Sequence, residues 1–394
     1  MGTRNDLTGG NRTSLKAQRV MCPTVALVAV LLLVPTSARS APQQKIYKLS
    51  DYGAVCNGQH DDTSSFAAAA ADASRGCVQV DNDEWYQAIL EFPPRGSCRF
   101  KSPISIDASC VALNTNGAVL RFPQSSGITF TSSHPATPYG DNLAVKEKLH
   151  VVGPGNSSNS GTYGVMLKAA NLAFDSLDVH GFNYGVQIGD STYMISMYHP
   201  NLWGNGVGLY CPGGSNSGEN IATFGGAIFN NAVGIDNQGC DIVLSSTSLD
   251  YNSVTAVKDA VNPNNGAATG SVTLLGVNVE FGVISGPVFQ LGINGTGSNC
   301  NGFAFIEVEG GKIHATQFPT PNSVALVDND TCGNKGPKSG GWVIIRDAWV
   351  DGIIPSGKCV AGTETGNCVI GNNAQQVKLI ELRNSSGQWF SWNN

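Results

Sequence analysis

The chain has 394 residues, of which 48 are glycine, 41% are hydrophobic and only 13% are charged, with a formal net charge of −6 at pH 7. Apolar residues run through the whole length, which excludes a disordered chain, and the glycine-rich, charge-poor composition argues against a helical protein and for many short strands joined by turns. The length suffices for one large domain or two ordinary ones.

The first forty residues read as a leader. Arg4, Arg12, Lys16 and Arg19 precede the apolar run Val25–Val34, and Pro35 and small residues up to Ser40 follow. This is the pattern of a secretory signal peptide over residues 1–40, cleaved after Ser40. The run is short for a membrane span, and Cys22 lies before it, where a lipoprotein cysteine would come after. Five of the 23 basic residues and one of the 29 acidic ones fall within 1–40, so the remainder carries 18 against 28, a net of −10. Such a surface repels nucleic acid and anionic lipid. Neither nucleic acid nor, after leader cleavage, a membrane is expected as a partner. A densely anionic glycan would need a cation or a local basic patch. The expected location is extracellular or periplasmic.

Residues 41–394 are expected to form one domain, with a cap over 44–80 and coils over about 86–385. In the stretch DYGAVCNGQHDDTSSFAAAAADASRG (51–76), an extended start runs into a Gly58 turn. Asp61-Asp62-Thr63 then caps a helix made mostly of alanine. From about residue 170 the chain falls into units of twenty to thirty residues: 176–189, 195–211, 221–239, 242–260, 272–292 and 303–315, closing with 341–352 and 377–385. Each holds two or three short alternating strands broken by Gly or Asn, residues that tolerate the left-handed backbone of a sharp corner. No room remains for crossover helices. Short strands, tight corners and a coil-length period fit a parallel β-helix, in which valine, isoleucine and leucine point inward and successive coils bury one another. An antiparallel sandwich or propeller is second, disfavoured by the scarcity of hairpin dipeptides. The opening helix then has a purpose, since the end of a solenoid exposes unpaired backbone and an open core and needs a cover.

The segment DYGAVCNGQHDDTSSFAAAAA followed by ILEFPPRGSCRFKSPISI (89–106) resembles the N-terminal signature of the pectate lyase-like superfamily. That group includes polygalacturonases, rhamnogalacturonases and phage tailspike depolymerases. Arg95 between the prolines and Gly96, and His60 in the turn, depart from the usual pattern. The resemblance covers about sixty residues, with looser coil similarity beyond. It implies an all-β, right-handed parallel β-helix and action on polysaccharides, and makes a homotrimer the assembly to test. It does not fix the reaction, because one scaffold hosts many functions.

The polygalacturonase motifs are missing: there is no Asn-Thr-Asp, Gly-His-Gly or Arg-Ile-Lys. Asp178-Val179-His180 is only a distant echo of the Asp-Pro-His of alginate epimerases. Asp61 and Asp62 belong to the cap. The coils offer another constellation. With Asn205, Asn231 and Asn252 at one corner, Trp203, Phe229 and Asp250 fall in one column. His180 precedes them, and Glu280 follows when Phe281 is matched to Tyr251. Glu307, Glu309 or Lys312 comes next. Neighbouring coils lie one strand spacing apart, so Asp250 and Glu280 stand as a catalytic carboxylate pair, acid with nucleophile or acid with base. Mutual repulsion would keep one protonated. Trp203 and Phe229 offer flat faces to sugar rings, and His180, Tyr251 and Lys312 complete the expected binding set.

Hydrolysis of a glycosidic bond in an extracellular polysaccharide is therefore the first expectation. A polysaccharide lyase is the alternative, with Tyr198 and His199, then Lys312, His314 or Arg346, as base candidates, and calcium as its neutralising cation. A non-catalytic glycan-binding or adhesin-like β-helix is third. No organic cofactor and no resident metal site are indicated, since there is no phosphate-binding glycine loop and no ligand cluster. Ten cysteines remain after Cys22, and an even number in an exported chain favours disulfides. Cys359 with Cys368 is the kind of local pair that order suggests, but connectivity is not deducible. Residues 132–148 and 212–220 are expected as long loops.

Overall fold

The structure, a computed structural model, describes residues 44–394 except 82–83, 134–141, 156–160, 214–217, 262–269, 294–302, 317–324, 330–339, 352–367, 371–376, 385–388 and 394. The expected leader and Cys359 lie outside the described residues.

Nearly every strand pairs in parallel, and the register returns to the same column once per coil. Leu172 pairs with Ile195, then in turn come Ile221, Ile242, Val272, Ile306 and Val343. All are buried. The fold is a parallel β-helix, as expected. A typical coil supplies two strands, such as Ile195–Tyr198 and Pro200–Trp203, to a 21-stranded sheet. A third, here Val207–Cys211, goes to a 10-stranded sheet. The core lies between them, and Val186, Leu209, Ile235 and Val257 face it from the smaller sheet. Full burial of each such side chain stabilises by about 1.5–3 kcal/mol. One coil alone would leave both its open ends wet, so that gain exists only in the stack.

Two corners hold each coil in shape. The first separates the two strands of the larger sheet and requires left-handed backbone: His199 has φ 45°, Gly225 65°, Gly226 71°, Ser246 53° and Gly276 59°. At Gly226 a Cβ would sit 2.2 Å from the Pro200 carbonyl oxygen, so no other residue fits. Asn205, Asn231 and Asn252 share the second corner, as their spacing predicted. Each is buried. Asn231 Oδ1 accepts from the Asn205 main-chain N–H (3.0 Å), and Asn252 Oδ1 accepts from that of Asn231 (3.1 Å). The side-chain amides of all three donate to carbonyls of the preceding coil, at 2.9–3.1 Å.

The cap is present but not separate. Ile46–Lys48 already pairs with Ala88–Glu91, so the coils begin near residue 46 rather than 86. The helix α1, Thr63–Arg75, follows the strand Asn57–Asp61 and buries Phe66, Ala69, Ala70 and Ala73. Phe66 packs on Phe92 and Phe100, with ring centroids 6.1 and 5.8 Å away. Asp61 serves the helix start, accepting from Thr63 Oγ1 (2.6 Å) and Thr63 N–H (3.2 Å). Asp62 does not cap. Its buried carboxylate accepts the main-chain N–H groups of Val55, Cys56 and Arg99.

Among the described residues three disulfides join Cys56 to Cys98, Cys77 to Cys110 and Cys211 to Cys240, with sequence separations of 42, 33 and 29. These spans are of coil length, because in a solenoid near neighbours lie one turn away. The expected loop 132–148 is shorter than its sequence suggested. Strand Asn142–Val152 takes its second half, with register shifts between Leu143 and Val145 and between Val145 and Lys148. Such bulges break the alternation by which a strand is recognised.

Candidate functional site

In the second strand of each coil, Val179, Leu202, Ile228, Leu249, Val279 and Ile313 point into the core. Strand alternation turns the next residue of each outward. Those residues are His180, Trp203, Phe229, Asp250, Glu280 and His314, and each pairs with the next in register. The structure thus brings together six residues singled out from the sequence, His314 among them as a base candidate for the lyase alternative. The Asn205–Asn231–Asn252 corner lies two residues beyond Trp203, Phe229 and Asp250 and fixes their height on the face. Tyr251 follows Asp250 at φ 52° and is 45% exposed, whereas its counterpart Phe281 is buried. Lys312 pairs with Asn278, beside the column, and is exposed.

One end of the column is aromatic. His180 stacks on Trp203 at 4.1 Å, and Trp203 lies parallel to Phe229 at 6.0 Å. His150 lies 5.8 Å from His180. Asp178 holds this end rigid: it accepts from Trp203 Nε1 at 3.0 Å and pairs with Lys148 Nζ at 2.5 Å. Burial raises the Asp178 pKa, but the Lys148 and Trp203 hydrogen bonds outweigh it and hold the carboxyl below its usual range. Burial lowers the pKa of both His150 and His180, and Arg121 pushes the same way on each. Both rings are therefore biased towards the neutral form, against the pull of Asp178.

The other end is acidic. Asp250 Oδ2 accepts from Ser248 Oγ (2.6 Å), and Oδ1 from Asn278 Nδ2 (3.2 Å). Burial raises the Asp250 pKa. The Ser248 bond opposes that rise, and the negative charge of Glu280 adds to it. Glu280 accepts a hydrogen bond from the Tyr251 hydroxyl. Asp250 thus leans towards residues two positions earlier in the strands, and Glu280 leans towards the strand end. Asp250 and Glu280 pair in register on neighbouring strands, one strand spacing of roughly 4.8 Å apart.

Tyr198 and His199 do not join His180. Tyr198 ends the strand before the first corner and His199 forms that corner, and Tyr198 stacks on Phe224 at 5.2 Å, on the neighbouring stretch of sheet. Glu307 is paired with Arg346 at 2.5 Å. Sequence reasoning missed Lys148, His150 and Arg121. The alternation of Lys148 and His150 with Leu149 and Val151 was the available signal, but the bulges before it hid the strand. Among the described residues the one His, Cys, Asp or Glu group close enough to hold a metal is Cys56, Asp62 and Cys98. Its sulfurs form a disulfide and its carboxylate serves backbone N–H groups, so it is structural. A groove of about 350 Å³ beside α1, lined by Phe66, Ala70, Ile104 and neighbours, contains none of the column residues.

No protein-family model matches the chain, and no curated protein does. Among solved structures it is similar to the gp42 tailspike of Acinetobacter phage vb_AbaP_AS12, with 10% identity and a TM-score of 0.46. The match covers 90% of this chain and 65% of the tailspike chain. The fold is a parallel β-helix on the strength of its own strand register. The N-terminal signature pointed to the same fold.

Proposed function

We propose that the chain hydrolyses a glycosidic bond of a polysaccharide laid along the His180–Glu280 column. One observation carries the reading: a stacked aromatic platform runs, coil by coil and in register, into a pair of outward carboxylates. Flat rings spaced like the coils suit the C–H faces of successive sugars. Asp250, whose pKa is raised chiefly by burial, holds its proton more firmly than a free carboxyl and is the group that protonates the leaving oxygen. Glu280, oriented by Tyr251, takes a proton from the attacking water. A retaining route, with Glu280 as nucleophile, uses the same pair, and the stereochemistry of the product distinguishes the two. An extracellular location, with which the three disulfides accord, would suit a polymer too large to enter a cell.

Elimination is the second reading, favoured by the register that puts His314 beside Glu280 and Lys312 beside Asn278. A panel of polysaccharides followed by reducing ends and by the absorbance of unsaturated uronate separates the two. Reducing ends alone support hydrolysis, and both together support a lyase. Binding without either product supports a glycan-binding surface.

A further inference from the structure

The column continues past His180 towards the N-terminal coils, and its character reverses. Arg99 pairs in register with Arg121 on adjacent coils, an arrangement that like charges disfavour. Among the described residues no carboxylate bridges either one. Arg99 Nη1 donates to the Gln59 carbonyl oxygen (3.1 Å), and Arg121 Nε to Ser97 Oγ (2.9 Å). Arg121 is exposed. The next coil places Val152 in the column, and the one after places His180. Val152, half-buried between an arginine and a stacked ring, is the short side chain of this stretch. His150 flanks it, and the Arg121 charge acts on both imidazoles. Lys148, the other cation nearby, is neutralised by Asp178. A chain of net charge −6 therefore keeps uncompensated guanidinium charge at one end of the column that ends in two carboxylates.

We propose that the Arg121–Val152–His180 stretch of the column is a carboxylate-binding subsite, and that the substrate is a heteropolysaccharide whose acidic sugars are separated by neutral ones. This rests on the glycan-cleaving reading above. A sugar carboxylate meets the planar guanidinium in a two-point hydrogen bond, with the imidazoles as further partners. Arg121 and Asp250 are five strand spacings apart, roughly 24 Å. A sugar chain spanning that distance needs an anion at the first position, apolar faces over Trp203 and Phe229, and no anion at Asp250 and Glu280. A uniform polyuronate would set carboxylate against carboxylate at the acidic end. A neutral polymer would leave the guanidinium unused.

The test uses the full mature chain carrying Asp250→Asn, to hold substrate uncleaved, on an array of neutral, sparsely acidic and uniformly uronic polysaccharides. The bound set is expected to be the sparsely acidic class. Reduction of its carboxyl groups to alcohols should weaken binding about tenfold, and Arg121→Gln should cost the same without adding to that loss. In parallel, sodium glucuronate should raise the NMR titration midpoints of His150 and His180, while equimolar glucose should not. That shift should vanish in Arg121→Gln. Binding confined to neutral polymers, tightest binding to a uniform polyuronate, or unchanged midpoints with glucuronate would overturn the subsite and leave the cleavage reading standing. Failure to bind any polysaccharide would overturn both.

Discussion

Asparagine 231 is the residue whose removal should reveal most about how the column is held. Its Oδ1 accepts from the main-chain N–H (3.0 Å) and the side-chain amide (3.2 Å) of Asn205. Its own amide donates to the Leu202 carbonyl (2.9 Å) and to Asn252 Oδ1 (3.1 Å). Asn231→Ala leaves the Asn205 N–H without a partner at a site closed to water, which costs about 1–3 kcal/mol, and the two donated bonds are each worth about 1 kcal/mol net. The expected loss is about 3–5 kcal/mol, a large share of a typical total of 5–15 kcal/mol. Urea unfolding followed by far-ultraviolet circular dichroism should show it as a lowered midpoint at unchanged slope. Ser253→Ala, at an exposed position one residue past the ladder, should stay within about 0.5 kcal/mol of the parent. An Asn231→Ala variant as stable as the Ser253→Ala control would refute the ladder as the device that fixes the corner.

Three further outcomes are expected. Trp203→Ala removes the stacks on His180 and Phe229 and releases Asp178, and should weaken glycan binding about two- to tenfold in calorimetry; unchanged affinity would remove Trp203 from the platform. Asp259 is fully buried, accepts from Asn237 Nδ2 (2.9 Å) and the Phe305 N–H (2.6 Å), and burial pushes its pKa from 3.8 up to about 8. The folded state then holds a proton that the unfolded chain has lost, so stability should fall as pH rises from about 4 to 8, by up to about 1.4 kcal/mol per unit. Asp259→Asn should flatten that slope whatever its absolute stability, and a slope of the same size in the variant would assign the effect elsewhere. For catalysis, Asp250 must be protonated, so activity should decline as pH rises through its pKa. Ser248→Ala removes the hydrogen bond that favours the ionised form and should move that alkaline limb to higher pH; a shift the other way would contradict the assignment of the acid.

The column was legible in the sequence because its causes are local. Alternation sets inward and outward residues, and the three asparagines mark one corner, so Trp203, Phe229, Asp250 and Glu280 aligned even across the long segment 253–279. The features that escaped depend on what happens between coils. Lys148 falls within the expected loop 132–148, and His150 two residues beyond it goes unnoticed, because two bulges precede them. That a corner separates Tyr198 and His199 from the column is not legible, because a left-handed histidine does not announce a corner as glycine does. The start of the first coil at Ile46 was read as cap, since a three-residue strand carries too little pattern to be seen without its partner Ala88–Glu91. Asp62 looked like a helix cap, and only the folded chain shows three backbone N–H groups converging on it.

The central claim is that Asp250 and Glu280 cleave a glycan by hydrolysis. The most direct measurement compares the parent chain with Asp250→Asn and Glu280→Gln on whichever polysaccharide the array identifies, reading reducing ends and unsaturated-uronate absorbance together. The account predicts reducing ends without absorbance, and a loss of about 10²–10⁴-fold in kcat for each variant with folding intact. Full activity in both variants, or absorbance rising in step with reducing ends, would contradict it.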